Sequence, residues 1–210
     1  MRLSIPVLNS IRFEKRQVTP GKVVCVGRNF VEHISELGNE VPEQMVIFVK
    51  PNSAISDTLV IGTDEEIHYE GEISFLVEQG KYVAVAFGLD LTKRALQSTL
   101  KAKGLPWERA KAFDRSALFS EFVSLPSNPE QLELLLQLNG TTVQQGKAKQ
   151  MIYRPATILE EVQTFMSLQD GDIVMTGTPK GVGQLHSGDK LHGELLADGK
   201  RLVSSNWNAA

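Results

Sequence analysis

The sequence has almost no cysteine: Cys25 is the single one among 210 residues. One cysteine excludes an internal disulfide, as is usual in a reducing cytoplasm. Its neighbours Val23, Val24 and Val26 are apolar, which predicts a buried strand residue rather than a nucleophile. The fold must therefore be stabilised by a packed core, and a hydrophobic content of 41% is enough to build one.

The sequence also lacks a block of positive charge and a long hydrophobic run. Lys and Arg number 22 against 25 Asp and Glu, for a formal net charge of -3. We therefore expect neither nucleic acid nor a membrane as a partner. No apolar run approaches a membrane span, and Asn9, Ser10 and Arg12 follow the apolar stretch 3–7 too soon for a signal peptide. The expected location is the cytoplasm.

Short strand-like segments separated by turns make up most of the chain. Apolar or alternating patterns predict strands at 2–6, 22–26, 45–49, 72–78 and 82–88, and helical spacing predicts helices at 30–37, 92–103 and 156–167. Thr92 is the expected N-cap of the second helix, and Asn139-Gly140 predicts a hairpin turn. The turn-rich last quarter predicts short strands in a sandwich or rolled sheet. We expect one domain over residues 1–210, of the α+β class and predominantly β.

Two acids, Glu70 and Glu72, lie two residues apart inside an apolar strand pattern. Side chains alternate across a strand, so both acids share one face, with alpha carbons roughly 7 Å apart. Two like charges this close require a counter-charge. Asp90, in another apolar run, would complete an oxygen cage of the kind that Mg²⁺ prefers. The alternative is a solvent-facing pair on an edge strand.

Four further residues have the character of site residues. His33 and Glu36 are three residues apart in the predicted first helix, so they share a face and can pair as a base and the group that orients it. An exposed pair without function is the alternative. Arg28 ends a strand, where a guanidinium can bind a carboxylate. Lys111 is one charge among apolar neighbours, which fits either a site cation or a surface lysine with a buried stem.

The glycine-rich segment 176–183 is not a P-loop, because Gly181 is followed by Val182 rather than by the lysine of that motif. A tight loop of this kind can present backbone N–H groups and the Thr178 hydroxyl to an anionic ligand. A plain hairpin turn is the alternative.

Taken in order, these pieces resemble the fumarylacetoacetate hydrolase family over about Lys22 to Leu191. The resemblance rests on Val26-Gly27-Arg28-Asn29-Phe30 with His33 and Glu36, Phe48-Val49-Lys50-Pro51, Glu70-Gly71-Glu72, Leu89-Asp90-Leu91-Thr92 with Arg94, Lys111-Ala112-Phe113, Leu138-Asn139-Gly140 with Gln145, and Gly171-Asp172 leading into the segment 176–183. The chain is most similar to the small acylpyruvase and oxaloacetate decarboxylase branch. It departs from the family at Ala95, where the family has Asp, and in a short connection from Glu78 to Val85.

The resemblance implies a mixed β-sandwich roll of the C-terminal-domain type of this family, with a few short helices, a single catalytic domain and a homodimer. It implies that Mg²⁺ (or Mn²⁺, with Ca²⁺ as a substitute) is bound by three acids, Glu70, Glu72 and Asp90. The implied catalytic residues are His33, Glu36 and Lys111. The implied substrate contacts come from Arg28, Arg94, Gln97 and Thr178.

The implied substrate is a small 2-oxo acid that chelates the cation through its C1 carboxylate and C2 carbonyl. Cleavage of the C3–C4 bond then leaves an enolate, as in acylpyruvate hydrolysis (acetylpyruvate or fumarylpyruvate) or oxaloacetate decarboxylation. In the hydrolysis His33 would activate water. The alternatives are a hydratase, isomerase or oxaloacetate tautomerase on the same fold, and a non-catalytic protein in which the acids hold a structural Ca²⁺.

Overall fold

The computed structural model describes residues 8–31, 36, 43–62 and 66–210, and strands dominate this part of the chain. In chain order, strands β1 to β17 are Ile11–Phe13, Arg16–Val18, Lys22–Gly27, Val46–Pro51, Ile55–Ser56, Ile67–Tyr69, Gly71–Glu78, Lys81–Asp90, Thr92–Lys93, Ala117–Phe119, Val123–Ser124, Leu132–Leu138, Thr141–Lys147, Ile173–Met175, Gly183–Gln184, Lys190–Ala197 and Lys200–Asn208. Helices α1 to α3 are Arg94–Ala102, Glu108–Lys111 and Pro155–Phe165, and short 3-10 helices form at Asn52–Ala54, Pro129–Gln131 and Ala148–Gln150.

The strands form one large mixed sheet and three smaller sheets. The large sheet has the order β4-β3-β14-β7-β8-β10-β5, with β11 also paired to β8. Within it β14 is parallel to β3 and antiparallel to β7. The second sheet has the order β13-β12-β16-β17, the third β15-β6-β9, and β1 pairs with β2. The predicted class, a predominantly β mixed sandwich roll with few helices, is confirmed.

The main core lies between the large sheet and the second sheet. Phe75 and Phe87 of the large sheet belong to one buried cluster with Leu134 and Trp207 of the second sheet. A Cβ added at Gly193 would lie 2.5 Å from the ring of Phe87. The approach of the two sheets at this point therefore requires a glycine.

The helix α3 packs beside the main core on the same face of the large sheet, since Val174 is the direct pairing partner of Phe75. Its apolar residues Ile158 and Val162 pack with Val24 and Val174, which are buried on neighbouring strands. Cys25, next to Val24, points to the opposite face and is completely buried in a further cluster. Burial raises the pKa of this thiol, so the interpretation of Cys25 as a structural strand residue is confirmed.

Most predicted elements are present, with corrections at their ends. The predicted N-cap Thr92 is wrong: Thr92 lies in β9, and α1 begins at Arg94. The last quarter contains strands of 8 and 9 residues rather than only short ones. The predicted strand 2–6 lies outside the described residues, as does most of the predicted helix 30–37. Among the described residues, no helix is long and apolar enough to cross a membrane.

Candidate active site

The three acids come from two neighbouring strands in the middle of the large sheet. Glu70 lies directly before β7, Glu72 is in β7, and Asp90 ends β8. The strands pair antiparallel, and the Asp90 N–H donates to the carbonyl of Glu70 at 2.9 Å. Because β7 is flanked by β14 and β8, the edge-strand alternative for these acids is wrong.

The acidic side chains converge in a buried place. Glu70, Glu72 and Asp90 are 5%, 2% and 0% exposed, and each offers a carboxylate oxygen within 4.8 Å of the others. Between the two glutamates a Cβ at Gly71 would lie 2.9 Å from the ring of Phe87. Glycine at this position therefore lets the acid-bearing segment pack against the core.

Lys111, at the end of α2, places its ammonium group among these acids. Its Nζ lies 2.7 Å from Glu70 Oε2, 2.6 Å from Asp90 Oδ2 and 2.7 Å from the hydroxyl of Thr92. Burial lowers the pKa of Lys111, but the charges of Asp90 and Glu70 outweigh it, so the pKa is raised above its ordinary value. Lys111 is 3% exposed, and the surface-lysine alternative is wrong.

A second lysine, Lys50 of β4, approaches Asp90 from the other side. Lys50 Nζ lies 2.7 Å from Asp90 Oδ1. The same ammonium donates to the carbonyl of Ser116 at 2.9 Å, to the Ser116 hydroxyl at 3.0 Å and to the carbonyl of Lys111. Lys50 is fully buried, and a buried ammonium is tolerated only when paired and hydrogen-bonded in this way.

Glu72 is the acid with the least favourable surroundings. Its Oε2 accepts a hydrogen bond from the Gly177 N–H at 2.7 Å. Burial raises the pKa of Glu72, and the neighbouring charges of Asp90 and Glu70 raise it further, against the smaller opposing effects of Lys111 and Gly177. Three clustered carboxylates, one of them held above its ordinary pKa, fit a divalent cation, which would neutralise them together.

The predicted substrate-binding residues line a pocket above the acids. Arg28, Arg94, Gln97 and Thr178 all border one pocket that opens to solvent and also contains Glu70, Glu72 and Asp90. Arg94 donates from Nη2 to Glu70 Oε1 and from Nη1 to Gln97 Oε1, the latter at 2.7 Å. The structure therefore connects Arg94 and Gln97 to the acid cluster by hydrogen bonds.

The glycine-rich segment 176–183 connects β14 to β15, strands of different sheets, so it is not a plain hairpin turn. Its donors serve the protein itself: the Gly177 N–H binds Glu72, and the Thr178 hydroxyl donates to the carbonyl of Gly71 at 2.9 Å. The prediction that these groups face an anionic ligand is therefore corrected, because both form hydrogen bonds to other groups of the protein. Thr178 nevertheless borders the pocket.

Of the predicted pair of His33 and Glu36, the structure describes only Glu36. His33 lies outside the described residues. Glu36 is exposed and helical, and its two carboxylate oxygens accept from the Gly181 N–H at 3.0 and 3.1 Å. Glu36 therefore contacts the same loop that carries Thr178, a residue that borders the pocket.

Sequence reasoning missed four residues at or beside the site. Lys101 and Trp107 border the pocket, and Lys101 follows Gln97 by four residues on α1, a spacing that could have indicated a shared face. No local pattern indicates that Lys50 is buried at the site, because a charged residue at the end of a strand is usually exposed. Gln144, rather than Gln145, is buried, and it donates to the Thr178 hydroxyl at 2.8 Å.

Comparison with known proteins gives one consistent family. Residues 22–205 match the family model described as fumarylacetoacetate (FAA) hydrolase C-terminal. The chain is 40% identical over 201 residues to oxaloacetate tautomerase YcgM of Escherichia coli, covering 87% of this chain and 91% of the relative. It is 38% identical over 197 residues to a mitochondrial oxaloacetate tautomerase of Bos taurus, covering 82% and 88%.

A solved structure has the same fold. Fumarylpyruvate hydrolase from Pseudomonas aeruginosa, in complex with Mn²⁺ and pyruvate, superimposes with a TM-score of 0.90 at 27% identity, covering 100% of this chain and 99% of that one. The site and fold thus define a family of enzymes. The chain belongs to the fumarylacetoacetate hydrolase family.

Proposed function

We propose that this protein is a divalent-metal-dependent enzyme that interconverts the enol and keto forms of oxaloacetate. The observation that supports this most is the buried cluster of Glu70, Glu72 and Asp90 with Lys111 at the base of a cationic pocket. The relatives that cover most of this chain at 38–40% identity are named oxaloacetate tautomerases. Tautomerisation moves one proton from C3 to the C2 oxygen and breaks no carbon–carbon bond.

Glu70, Glu72 and Asp90 would hold Mg²⁺ or Mn²⁺. When bound, the cation supplies a Lewis acid that polarises the 2-oxo group and lowers the free energy of the enolate. Lys111 adds a fixed positive charge at the same place, held by Glu70 and Asp90. A charge that is already oriented in a buried site stabilises a developing oxyanion without reorganisation.

The charges around the pocket favour a substrate with two carboxylates. Four cationic side chains border it (Arg28, Arg94, Lys101 and Lys111) against three acidic ones (Glu70, Glu72 and Asp90). A bound divalent ion makes this balance more positive. Oxaloacetate carries a carboxylate at each end, whereas acetylpyruvate carries one, so the pocket suits oxaloacetate better.

The proton itself requires a base and an acid beside the substrate. We assign this step to His33 with Glu36 as the group that orients it, and substrate orientation to Arg28, Gln97 and Thr178. Glu36 supports the assignment because it contacts the loop next to the pocket. Closure of the segment that carries His33 would exclude bulk water, which limits side reactions of the enolate.

Carbon–carbon bond cleavage in an acylpyruvate or in oxaloacetate is the second candidate. It is favoured by the structural match to fumarylpyruvate hydrolase, and it would use the same metal and enolate. The two functions differ in their products, since cleavage releases pyruvate and tautomerisation does not.

A substrate panel tests the proposal. Metal-stripped protein is given Mg²⁺ and then oxaloacetate enol, acetylpyruvate or fumarylpyruvate. Ultraviolet absorbance reports enol loss, and lactate dehydrogenase with NADH reports pyruvate. We expect metal-dependent enol loss that exceeds the rate with Mg²⁺ alone and leaves no pyruvate. Rapid pyruvate release from any substrate would instead establish the second candidate, and no turnover of any of them would contradict both.

Lys101→Met should lower kcat/KM for oxaloacetate by about tenfold, as expected for loss of one charged contact, while exposed Lys103→Met on the same helix end serves as control. Equal kcat/KM in Lys101→Met and the parent protein would contradict a role for Lys101 in substrate choice.

We also propose that the protein forms the homodimer that the family resemblance implies. Light scattering in solution can test this oligomeric state.

A further inference from the structure

Gln144 of β13 is a buried residue whose side chain binds two segments that border the pocket. It is 1% exposed. Its Oε1 accepts from the Gly71 N–H at 2.8 Å, and its Nε2 donates to the Thr178 hydroxyl at 2.8 Å and to the carbonyl of Pro179 at 2.9 Å. Because both the carbonyl oxygen and the NH₂ group have partners, the orientation of the amide is fixed.

The Thr178 hydroxyl closes this network on Gly71, the residue between the two glutamates. It donates to the carbonyl of Gly71 at 2.9 Å while it accepts from Gln144. One residue earlier in the same loop, the Gly177 N–H donates to Glu72 at 2.7 Å. In a buried network of this kind, removal of one member leaves the others without partners.

The loop 176–183, which carries Thr178, also packs against β13 at a second point. Gly181 has a φ of 97°, and a Cβ at this position would collide with the carbonyl oxygen of Val143. The approach therefore requires a glycine. It places the loop on the strand residue next to Gln144, so the loop, β13 and the acid-bearing segment meet at this side chain.

We propose that Gln144 is a positioning residue that fixes the loop 176–183 relative to the acid-bearing segment, and thereby sets the width of the pocket between Thr178 and the acids. Gln144 is not among the described residues that border the pocket, so it would act on a substrate only through the loop. The proposal rests on the proposed function, in which a small 2-oxo acid binds between this loop and the acids.

The substitution Gln144→Met keeps the length of the side chain and removes its hydrogen bonds. KM for oxaloacetate enol should rise by about tenfold, the effect of about one lost hydrogen bond to the substrate, and kcat should change by less than about threefold. A variant that is only less stable would lose active enzyme, which lowers the apparent kcat and leaves KM unchanged. An unchanged KM would therefore overturn the proposal, whatever the change in kcat.

Hydrogen exchange of backbone amides, followed by mass spectrometry, tests the hold on the loop without substrate or metal. In metal-stripped protein, the segment 176–183 should exchange at least about tenfold faster in Gln144→Met than in the parent protein, because local opening of the loop no longer breaks the bonds to Gln144. The same exchange rate in both proteins would overturn the proposal.

The chain offers a matched control in the neighbouring residue of the same strand. Gln145 is exposed, and its side chain donates to Glu133 at the surface. Gln145→Met should leave both KM and the exchange of the loop unchanged. Changes as large as those in Gln144→Met would mean that any substitution in this part of β13 moves the loop, which would overturn a specific role of Gln144.

Two further results separate this role from the proposed function. Should the parent protein turn over none of the substrates, the proposed function and the effect on KM fail together, while exchange still decides whether Gln144 holds the loop. Should Gln144→Met not fold, a crystal structure of the parent protein with Mg²⁺ and oxalate decides. Oxalate in contact with the loop, with Gln144 still bound to Gly71 and Thr178, supports the proposal. Oxalate remote from the loop, or a released Gln144, overturns it.

Discussion

Two segments of this protein each carry two ionisable side chains separated by one residue: Glu70 and Glu72 at the start of β7, and His192 and Glu194 on β16. The two pairs behave differently. On β16, His192 Nε2 lies 2.9 Å from Glu194 Oε1, and Arg201 of β17 lies 3.2 Å from the same oxygen. The hydrogen bond from His192 is the largest cause that lowers the pKa of Glu194. At the β7 pair, burial and like charges raise the pKa of Glu72.

The difference comes from burial and from the sign of the neighbouring charges. Glu194 is 21% exposed as a side chain and faces two groups of basic type, so its charge is satisfied by the protein and by water. Glu72 is 2% exposed beside two other carboxylates. A strand pair of charged residues indicates a candidate metal site only where the chain buries several acids together at a pocket that a ligand can enter.

Glu72→Gln is expected to have the largest effect on activity. Loss of one of three ligands should reduce metal-dependent turnover by about a thousandfold or more, measured with the oxaloacetate enol assay. The metal-free protein should keep or gain stability to urea, because one of three clustered negative charges is gone. A large loss of stability would indicate that Glu72 serves the fold instead.

The matched substitution on the other strand is Glu194→Gln. Turnover should not change, since Glu194 lies outside the pocket, and the free energy of unfolding should fall by less than about 1 kcal/mol because the pair is partly solvated. A loss of turnover comparable to that of Glu72→Gln would contradict the contrast between the two strands.

The substitution Lys111→Met distinguishes the contribution of the lysine charge from that of the metal ion. Turnover should fall by about 10²–10³, the usual effect of removing one preorganised charge from an oxyanion site. Binding of Mn²⁺, measured by calorimetry, should be retained or strengthened, because the ammonium no longer competes for Glu70 Oε2 and Asp90 Oδ2. Loss of both turnover and metal binding would show that Lys111 is needed to hold the acids in place.

The smallest effect concerns the pH dependence of stability at the β16 pair. Because the folded-state pKa of Glu194 lies below its ordinary value of 4.5, its ionised form stabilises the fold above that pH, and this contribution is lost as the pH falls through the folded-state pKa. Glu194→Gln should therefore show a shallower loss of stability below pH 4.5 in urea titrations. The same loss of stability below pH 4.5 in both proteins would contradict a lowered pKa of Glu194 in the folded state.

Much of the fold could be predicted because long elements carry strong periodic signals. The strand expected at 72–78 is observed as Gly71–Glu78, and the helix expected at 156–167 as Pro155–Phe165. Strands of two or three residues, such as Thr92–Lys93, carry too short a pattern to be recognised. The sequence therefore predicts a helix cap at Thr92, whereas in the structure its hydroxyl accepts a hydrogen bond from Lys111.

The acid cluster could be predicted in part from the sequence, whereas its supporting groups could not. Strand alternation placed Glu70 and Glu72 on one face, and an apolar context pointed to Asp90. The contact of Lys50 with Asp90 joins residues 40 positions apart in sequence across the structure, and no local pattern reports such a pairing. Gln144 is a further example: the family resemblance names only its neighbour Gln145, and the burial of Gln144 against Thr178 depends on contacts 34 positions away in sequence.

The most direct test of the account counts metal ions bound to each chain. The parent protein and Glu72→Gln are stripped, dialysed against Mn²⁺ and analysed by inductively coupled plasma mass spectrometry. We predict one tightly held ion per chain in the parent protein and none in Glu72→Gln. Equal manganese content in the two proteins, or none in either, would contradict a metal centre at Glu70, Glu72 and Asp90.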